Sequence, residues 1–453
     1  MPQENLRTPD GAGQAEKRLE DKRLADATPF PRQAGANRAY HAMVKPIGAI
    51  CNLDCTYCYY LHKKELLGST SRFQISDDIL ETHIRQYVEG QDRDEVVFSW
   101  QGGEPTLMGL SFFEKVIELE KKYKKPGQRI ENDLQTNGTL LDDEWAAFLK
   151  RHGFLVGLSI DGPKKLHDAC RVTNEGKPTF DRVFAAAQLL HRHSVPFNTL
   201  TVVNRGNAKR PLDVYRFLRN EVRPREMQFI PGVEPKVFRE VAPQKWDPAT
   251  LPAFGSSAAR PGNADSIVTE WSVDPDDWGY FLCKVWDEWY HRDVGKVFVN
   301  LFESAVAQWK GLDAQVCIYH EFCGKGVALE HDGSLYSCDH YVYPEYKLGN
   351  IQQTSSSRLV FSEQQKTFGY AKFMTLPKRC ADCKYLFACN GECPKNRLLR
   401  TPEGEAGLNY LCSGLMNFWT HIDEDVKRLC CELAKQNAEQ SRAYSGREGS
   451  SVS

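Results

Sequence analysis

Glu95-Val-Val-Phe-Ser-Trp100-Gln-Gly-Gly-Glu-Pro105 is the stretch that decides the fold. Glu95–Trp100 is rich in β-branched and aromatic side chains and reads as a buried strand. Gln101–Pro105 is a loop. A helix over Ser111–Lys125 follows and stops at Pro126-Gly127. The same order recurs on both sides. Ala42–Ile47 is a strand candidate, and Ser76–Gly90 carries Ile79, Leu80, Ile84, Tyr87 and Val88 at helical spacing behind the cap candidates Ser76 and Asp77. Downstream come strand Arg129–Gln135, helix Asp142–His152, strand Phe154–Ile160, helix Thr179–His193, strand Phe197–Val203, helix Pro211–Asn220 and strand Glu226–Ile230. Six βα-type units between about residues 42 and 230 predict an α/β fold with a parallel sheet and helical crossovers. In succession such units curl into a partial (β/α)6 TIM-like barrel.

The polar and glycine-rich segments fall directly after strands, at the ends where barrel active sites lie. So does Cys51-Asn-Leu-Asp-Cys55-Thr-Tyr-Cys58. Three thiolates do not complete a tetrahedral zinc site, but they can hold three irons of a 4Fe–4S cluster and leave the fourth open for chemistry. A zinc knuckle completed by His62 or a distant cysteine is the alternative on spacing alone.

Composition narrows the partners. A net charge of −2 over 453 residues gives no reason to expect nucleic acid. No apolar run reaches the roughly 20 residues of a membrane span, and the N-terminus lacks a secretory apolar region. Residues 1–36 balance six basic against six acidic residues, unlike an Arg-rich transit peptide, so the expected location is the cytoplasm. Fifteen cysteines in a reducing compartment read as metal ligands rather than disulfides.

Eight of them follow the barrel: Cys317, Cys323, Cys338, Cys380, Cys383, Cys389, Cys393 and Cys412. Eight thiolates fill two four-ligand sites, either cubane clusters or zinc ribbons. An open cluster in the same chain favours redox clusters. Cys170, Cys283, Cys430 and Cys431 are expected to be thiols without a role. Pro231–Pro275 holds seven prolines and is expected to be a long loop of a kind that often contacts substrate. An aromatic-rich helix over Asp276–Arg292 is expected to pack on the barrel, and Val297–Val299 and Leu301–Lys310 are a last strand and helix. A final helix is placed at about Leu408–Ala434.

Cys51-x3-Cys55-x2-Cys58 resembles the signature of radical S-adenosylmethionine enzymes. The spacing Cys323-x9-Gly333-x4-Cys338, then Cys380-x2-Cys383-x5-Cys389-x3-Cys393 and Cys412, resembles the SPASM extension of that superfamily. Together with Phe98–Leu107, Leu134–Thr139, Gly157–Pro163 and Tyr336–Asp339, the chain resembles anaerobic sulfatase-maturating enzymes over about residues 42–425.

The resemblance implies the following chemistry. A cluster on Cys51, Cys55 and Cys58 binds S-adenosylmethionine and cleaves it reductively to methionine and a 5′-deoxyadenosyl radical. The radical takes a hydrogen from the β-carbon of a Ser or Cys in an unfolded or nascent sulfatase polypeptide, and Cα-formylglycine results. By position, Tyr57, Gly103, Ser159, Arg171 and Val233 bind S-adenosylmethionine, Asp339 is the general base, and Gln101 and Tyr60 contact substrate. Cys317, Cys323, Cys338 and Cys393 hold one auxiliary 4Fe–4S cluster, and Cys380, Cys383, Cys389 and Cys412 the other, for three in all. A small-protein electron donor such as ferredoxin or flavodoxin is implied.

The resulting division is a disordered extension (1–36), a radical S-adenosylmethionine partial barrel (37–235), a Pro-rich insertion with connecting helices (236–314), a SPASM domain (315–415), and a C-terminal helix with a disordered tail (416–453). Another SPASM peptide maturase, such as a thioether-forming one, and a non-catalytic zinc or iron–sulfur scaffold are the competing readings.

Overall fold

The computed structural model describes residues 39–60, 62–67 and 73–448, without side-chain placement at Lys64, Pro243 and 437–448. The expectation of disorder over 1–36 falls outside these residues. Six parallel strands follow the predicted order: β1 (His41–Lys45), β2 (Glu95–Trp100), β3 (Arg129–Thr136), β4 (Leu155–Ser159), β5 (Phe197–Val203) and β6 (Glu226–Pro231). Helices α1 (Asp77–Gly90), α2 (Leu110–Tyr123), α3 (Asp143–His152), α4 (Phe180–Arg192) and α5 (Pro211–Phe217) make the crossovers. Their starts follow local chemistry: Ser76 and Asp142 accept the Ile79 and Trp145 amides as N-caps, and Gly153 ends α3 at a left-handed φ of 68°. Val44, Phe98, Trp100, Leu134, Val156 and Leu158 are fully buried and form the centre of the core.

The sheet is longer than the six units. Beyond β6 it adds β7 (Phe298–Val299), which leads into α7 (Asn300–Trp309). At the other edge β8 (Gly326–Glu330) pairs in parallel with all five residues of β1, from His41 opposite Gly326 to Lys45 opposite Glu330. Strands β9 (Ser334–Tyr336) and β10 (Lys347–Asn350) then continue antiparallel. The cysteine-rich region is thus hydrogen-bonded to the barrel's first strand, and this covers an edge that a partial barrel leaves open.

Helix α6 (Pro275–Arg292) buries Trp278, Phe281, Trp286 and Trp289, as its pattern predicts. It crosses α8 (Cys412–Glu448) where two glycines meet: a Cβ on Gly414 would lie 1.8 Å from the Pro275 carbonyl oxygen. Two boundaries of the last helix differ from expectation. Leu408 belongs to a short strand, Ala406–Leu408, paired with Leu399–Arg400. The helix also passes Ala434 and runs to Glu448, so the segment from Gln436 is helical up to that residue. Residues 434–443 carry Ala, Lys, Gln, Glu and Arg with no breaker, which sustains a helix without an apolar stripe. The Pro-rich segment is stitched down: Phe254 donates to the Arg400 carbonyl, and Arg400 to the Pro252 carbonyl. No helix among the described residues is long and apolar enough to cross a membrane.

Candidate active site

The three cysteines of the 51–58 loop sit at the C-terminal end of β1, enclosed by the loops after β2 and β3. Gln101 donates its amide to Val44, Gly103 to Gly48 and Glu104 to Ile50, so the Gly-Gly-Glu loop is sewn to the turn that leads into Cys51. Gly103 packs so closely that a Cβ would stand 1.8 Å from the Ile50 carbonyl oxygen and 2.4 Å from its carbon. Both atoms are backbone, so no side-chain rotation relieves the clash. Gly103→Ala should therefore displace the cysteine loop. The expected result is lower iron per chain and loss of S-adenosylmethionine cleavage, read by iron analysis and deoxyadenosine release. Full cleavage by this variant would show that the close approach is dispensable.

Glu104 is buried, and its carboxylate accepts from the Thr106 amide and hydroxyl, the Thr136 hydroxyl and the Asn137 amide. It thereby fixes the Asn137 loop, whose side-chain amide reaches Asn52 at 2.9 Å and Cys51 Sγ at 3.8 Å. The Leu53 amide lies 3.4 Å from the same sulfur. Such donors to a ligand sulfur adjust a cluster's potential.

The thiols of Cys51, Cys55 and Cys58 interact with one another electrostatically. Burial pushes Cys51 and Cys55 up to about 12, so thiolates persist there only against a cation such as iron. Cys317, Cys323, Cys338 and Cys393 form a second mutually interacting group. Cys380, Cys383, Cys389 and Cys412 form a third, around a cavity of about 410 Å³. Two buried cations lie among these thiols, Lys372 beside Cys323, Cys393 and Cys317, and Arg397 beside Cys380, Cys323 and Cys393. Burial lowers both, and each needs negative charge nearby. Anionic clusters held by thiolates provide that charge, so the residues fit 4Fe–4S clusters.

The residues assigned to S-adenosylmethionine lie at or in the segments after the C-terminal ends of β1, β2, β4 and β6, and two of them share a buried partner. Arg171 Nε stands 3.0 Å from Asp161 Oδ2, and the Tyr57 hydroxyl donates to the same carboxylate, with all three residues buried. Asp161 Oδ1 also accepts the Val202 amide at 3.0 Å. Asp161 therefore fixes the side chains of both Arg171 and Tyr57 in place. Ser159 Oγ accepts from Gln135 Nε2 at 2.9 Å. Val233 is buried after β6, and its carbonyl accepts from Lys395 Nζ at 2.9 Å.

Asp339 stands one residue after Cys338, half-buried opposite the cysteine loop. Its Oδ1 lies 2.5 Å from Lys45 Nζ, and its Oδ2 accepts the Tyr59 hydroxyl at 2.5 Å. Burial works against the charge, but Lys45, His340 and the Tyr59 hydrogen bond overcome it and hold the carboxyl at about 2. Asp339 is thus an anion at neutral pH. Tyr60 is buried with its hydroxyl donating to Glu330 and its ring 4.7 Å from Lys45 Nζ, and Gln101 is half-buried at the mouth. Sequence reasoning missed Lys45, Asp161, Glu234, Glu330 and Lys395. Lysine ending the apolar strand Ala42-Met-Val-Lys45 was the available signal for the first.

A fold of this kind, with an open three-cysteine loop at the barrel mouth and two closed four-cysteine groups behind it, defines a radical S-adenosylmethionine enzyme with an auxiliary cluster domain. Residues 46–218 match the family model of the radical SAM superfamily, and residues 317–384 match SPASM, an iron–sulfur cluster-binding domain. The chain is 44% identical to a serine-type anaerobic sulfatase-maturating enzyme of Bacteroides thetaiotaomicron, over 88% of this chain and 93% of that protein. It is 31% identical to a cysteine-type enzyme of Clostridium perfringens, over 84% and 95%. A solved structure of anSMEcpe with bound AdoMet and the Cp18Cys peptide is similar at a TM-score of 0.73 and 30% identity, over 87% of this chain and 99% of that one. The chain belongs to the anaerobic sulfatase-maturating enzymes, and this membership carries 4Fe–4S clusters and S-adenosylmethionine as cofactors.

Proposed function

We propose that Asp339 takes the hydroxyl or thiol proton when this enzyme oxidises a Ser or Cys of a sulfatase polypeptide to Cα-formylglycine. The observation that carries the assignment is the half-buried Asp339 carboxylate, held between Lys45 and Tyr59 one residue after Cys338. With the cofactors bound, S-adenosylmethionine at the Cys51, Cys55 and Cys58 cluster supplies the hydrogen-abstracting radical. The chain's own residues position the reacting side chain and receive its proton. In the serine case the residue loses a β-hydrogen atom, the hydroxyl proton and one electron. Removal of the hydrogen atom makes that proton far more acidic, so a weak base such as Asp339 suffices.

A cavity of about 490 Å³, bordered by His62, Lys236, Phe238, Arg239, Glu240 and Trp271, opens beside the cysteine loop. An unfolded or nascent polypeptide is the substrate this reading assigns to it. The two cysteine groups of the auxiliary domain offer the departing electron a route outward, to a small protein such as ferredoxin or flavodoxin. A cytoplasmic location suits both partners. The higher identity to the serine-type relative favours serine as the natural target.

Mass spectrometry of two sulfatase-type peptides, one with Ser and one with Cys, tests the reading after anaerobic incubation with S-adenosylmethionine and a reductant. Formylglycine is expected from the serine peptide. No aldehyde from either peptide would overturn it.

A further inference from the structure

Three lysines are buried around the chamber between the cysteine loop and the auxiliary domain, and they are not equivalent. Lys45 is paired with Asp339, and Lys395 with Glu234 and the Val233 carbonyl. Lys63 is 2% exposed, and its Nζ stands 3.3 Å from the centroid of the Tyr343 ring. Among the described residues that ammonium has no hydrogen-bond acceptor. An ammonium has three donors, and burying it with only a ring face is costly. Tyr343 is itself immobilised, since its hydroxyl donates to the Phe238 carbonyl at 2.6 Å. Phe238 borders the 490 Å³ entrance cavity, so Lys63 lies directly behind the entrance.

The charges that face Lys63 come from separate elements around the chamber: Glu234 after β6, Glu330 at the end of β8, Asp339 after β9, and Lys395 beside Cys393. Asp339 and Glu234 are paired with the other two lysines, and Glu330 accepts the Tyr60 hydroxyl on Oε1 while its Oε2 lies 3.6 Å from His331 Nδ1. None of these carboxylates is an ion-pair or hydrogen-bond partner of Lys63, so its ammonium is open to an acceptor from outside.

We propose that Lys63 binds an oxygen acceptor of the substrate polypeptide, a main-chain carbonyl or a carboxylate beside the target residue, and so positions the Ser or Cys for reaction. The inference rests on the maturase reading and deepens it. Burial foremost, opposed by Glu234, lowers Lys63 to about 7. An acceptor arriving with the peptide favours the ammonium and raises that value again. Peptide affinity is then fully present below about pH 7 and falls as pH rises, until the bound-state value is passed.

The test measures peptide affinity and formylglycine formation for the reconstituted full chain. It uses a serine peptide, which has no thiol to titrate, from pH 6 to 9. Wild-type affinity should fall above pH 7. Lys63→Met should weaken binding by about tenfold to a hundredfold at pH 6.5 and flatten the pH dependence. Lys63→Arg should recover binding and also flatten it. S-Adenosylmethionine cleavage without peptide should be unchanged in both variants. A peptide with its acidic side chains amidated separates the sources. If the Lys63→Met defect persists on it, the acceptor is a carbonyl; if it vanishes, a carboxylate. Wild-type affinity independent of pH, or equal affinity in Lys63→Met, overturns the assignment of Lys63 while wild-type turnover stands. Absence of formylglycine in the wild type overturns the maturase reading and the assignment together.

Discussion

Cys51→Ala should reduce S-adenosylmethionine cleavage to background, with or without peptide. The Cys51 sulfur receives the contacts of both the Leu53 amide and the Asn137 side chain, so the loop is built around that atom. In the proposed assignment Cys51 and its two companions are three ligands for four irons. Loss of one leaves two, too few to retain the cluster. The auxiliary groups do not share these cysteines, so part of the iron and its absorbance should remain. Anaerobic iron analysis and chromatographic measurement of deoxyadenosine check both halves. Deoxyadenosine release close to wild type would show that the open site lies elsewhere.

Asp339→Asn should separate the two halves of the reaction. Cleavage of S-adenosylmethionine draws on the cysteine loop and should persist at least in part, whereas formylglycine formation should drop by about a hundredfold or more. Asparagine keeps the shape but accepts no proton, and it leaves the Lys45 ammonium without its anion. Some loss of stability is therefore expected, since removing one partner of a buried pair exposes the full desolvation cost of the other. Thermal unfolding of the reconstituted variant distinguishes a folded, inactive enzyme from a collapsed one. Full turnover of a Ser or Cys peptide by the folded variant would remove Asp339 from the proton-accepting role.

The barrel was legible because each of its units is local. A strand such as Val96-Val97-Phe98, a glycine-rich stop and a capped helix such as Ser76–Gly90 are written within about thirty residues. The cysteine spacings were legible because each is local, and the thiols within each set act on one another electrostatically. The contacts that make the chamber were not legible. Tyr59 and Asp339 are 280 positions apart, and their meeting depends on β8 adding to β1, a pairing that no local pattern announces. The pairing of Arg171 with Asp161 was not legible either, because neither position shows the other as its partner. Asp161 lies in the quoted Gly157–Pro163 motif, yet an acid after a strand looks the same whether it faces solvent or a buried arginine. The helical continuation from Gln436 to Glu448 was missed for a different reason: it rests on backbone propensity, which a search for apolar periodicity overlooks.

The most direct test of the central claim follows a hydrogen atom. A sulfatase-type serine peptide deuterated at the β-carbon is incubated anaerobically with the reconstituted enzyme, S-adenosylmethionine and a reductant. Peptide and deoxyadenosine are then analysed by mass spectrometry. The account predicts formylglycine in the peptide and deuterium in the deoxyadenosine. Unlabelled deoxyadenosine beside an unmodified peptide would contradict it.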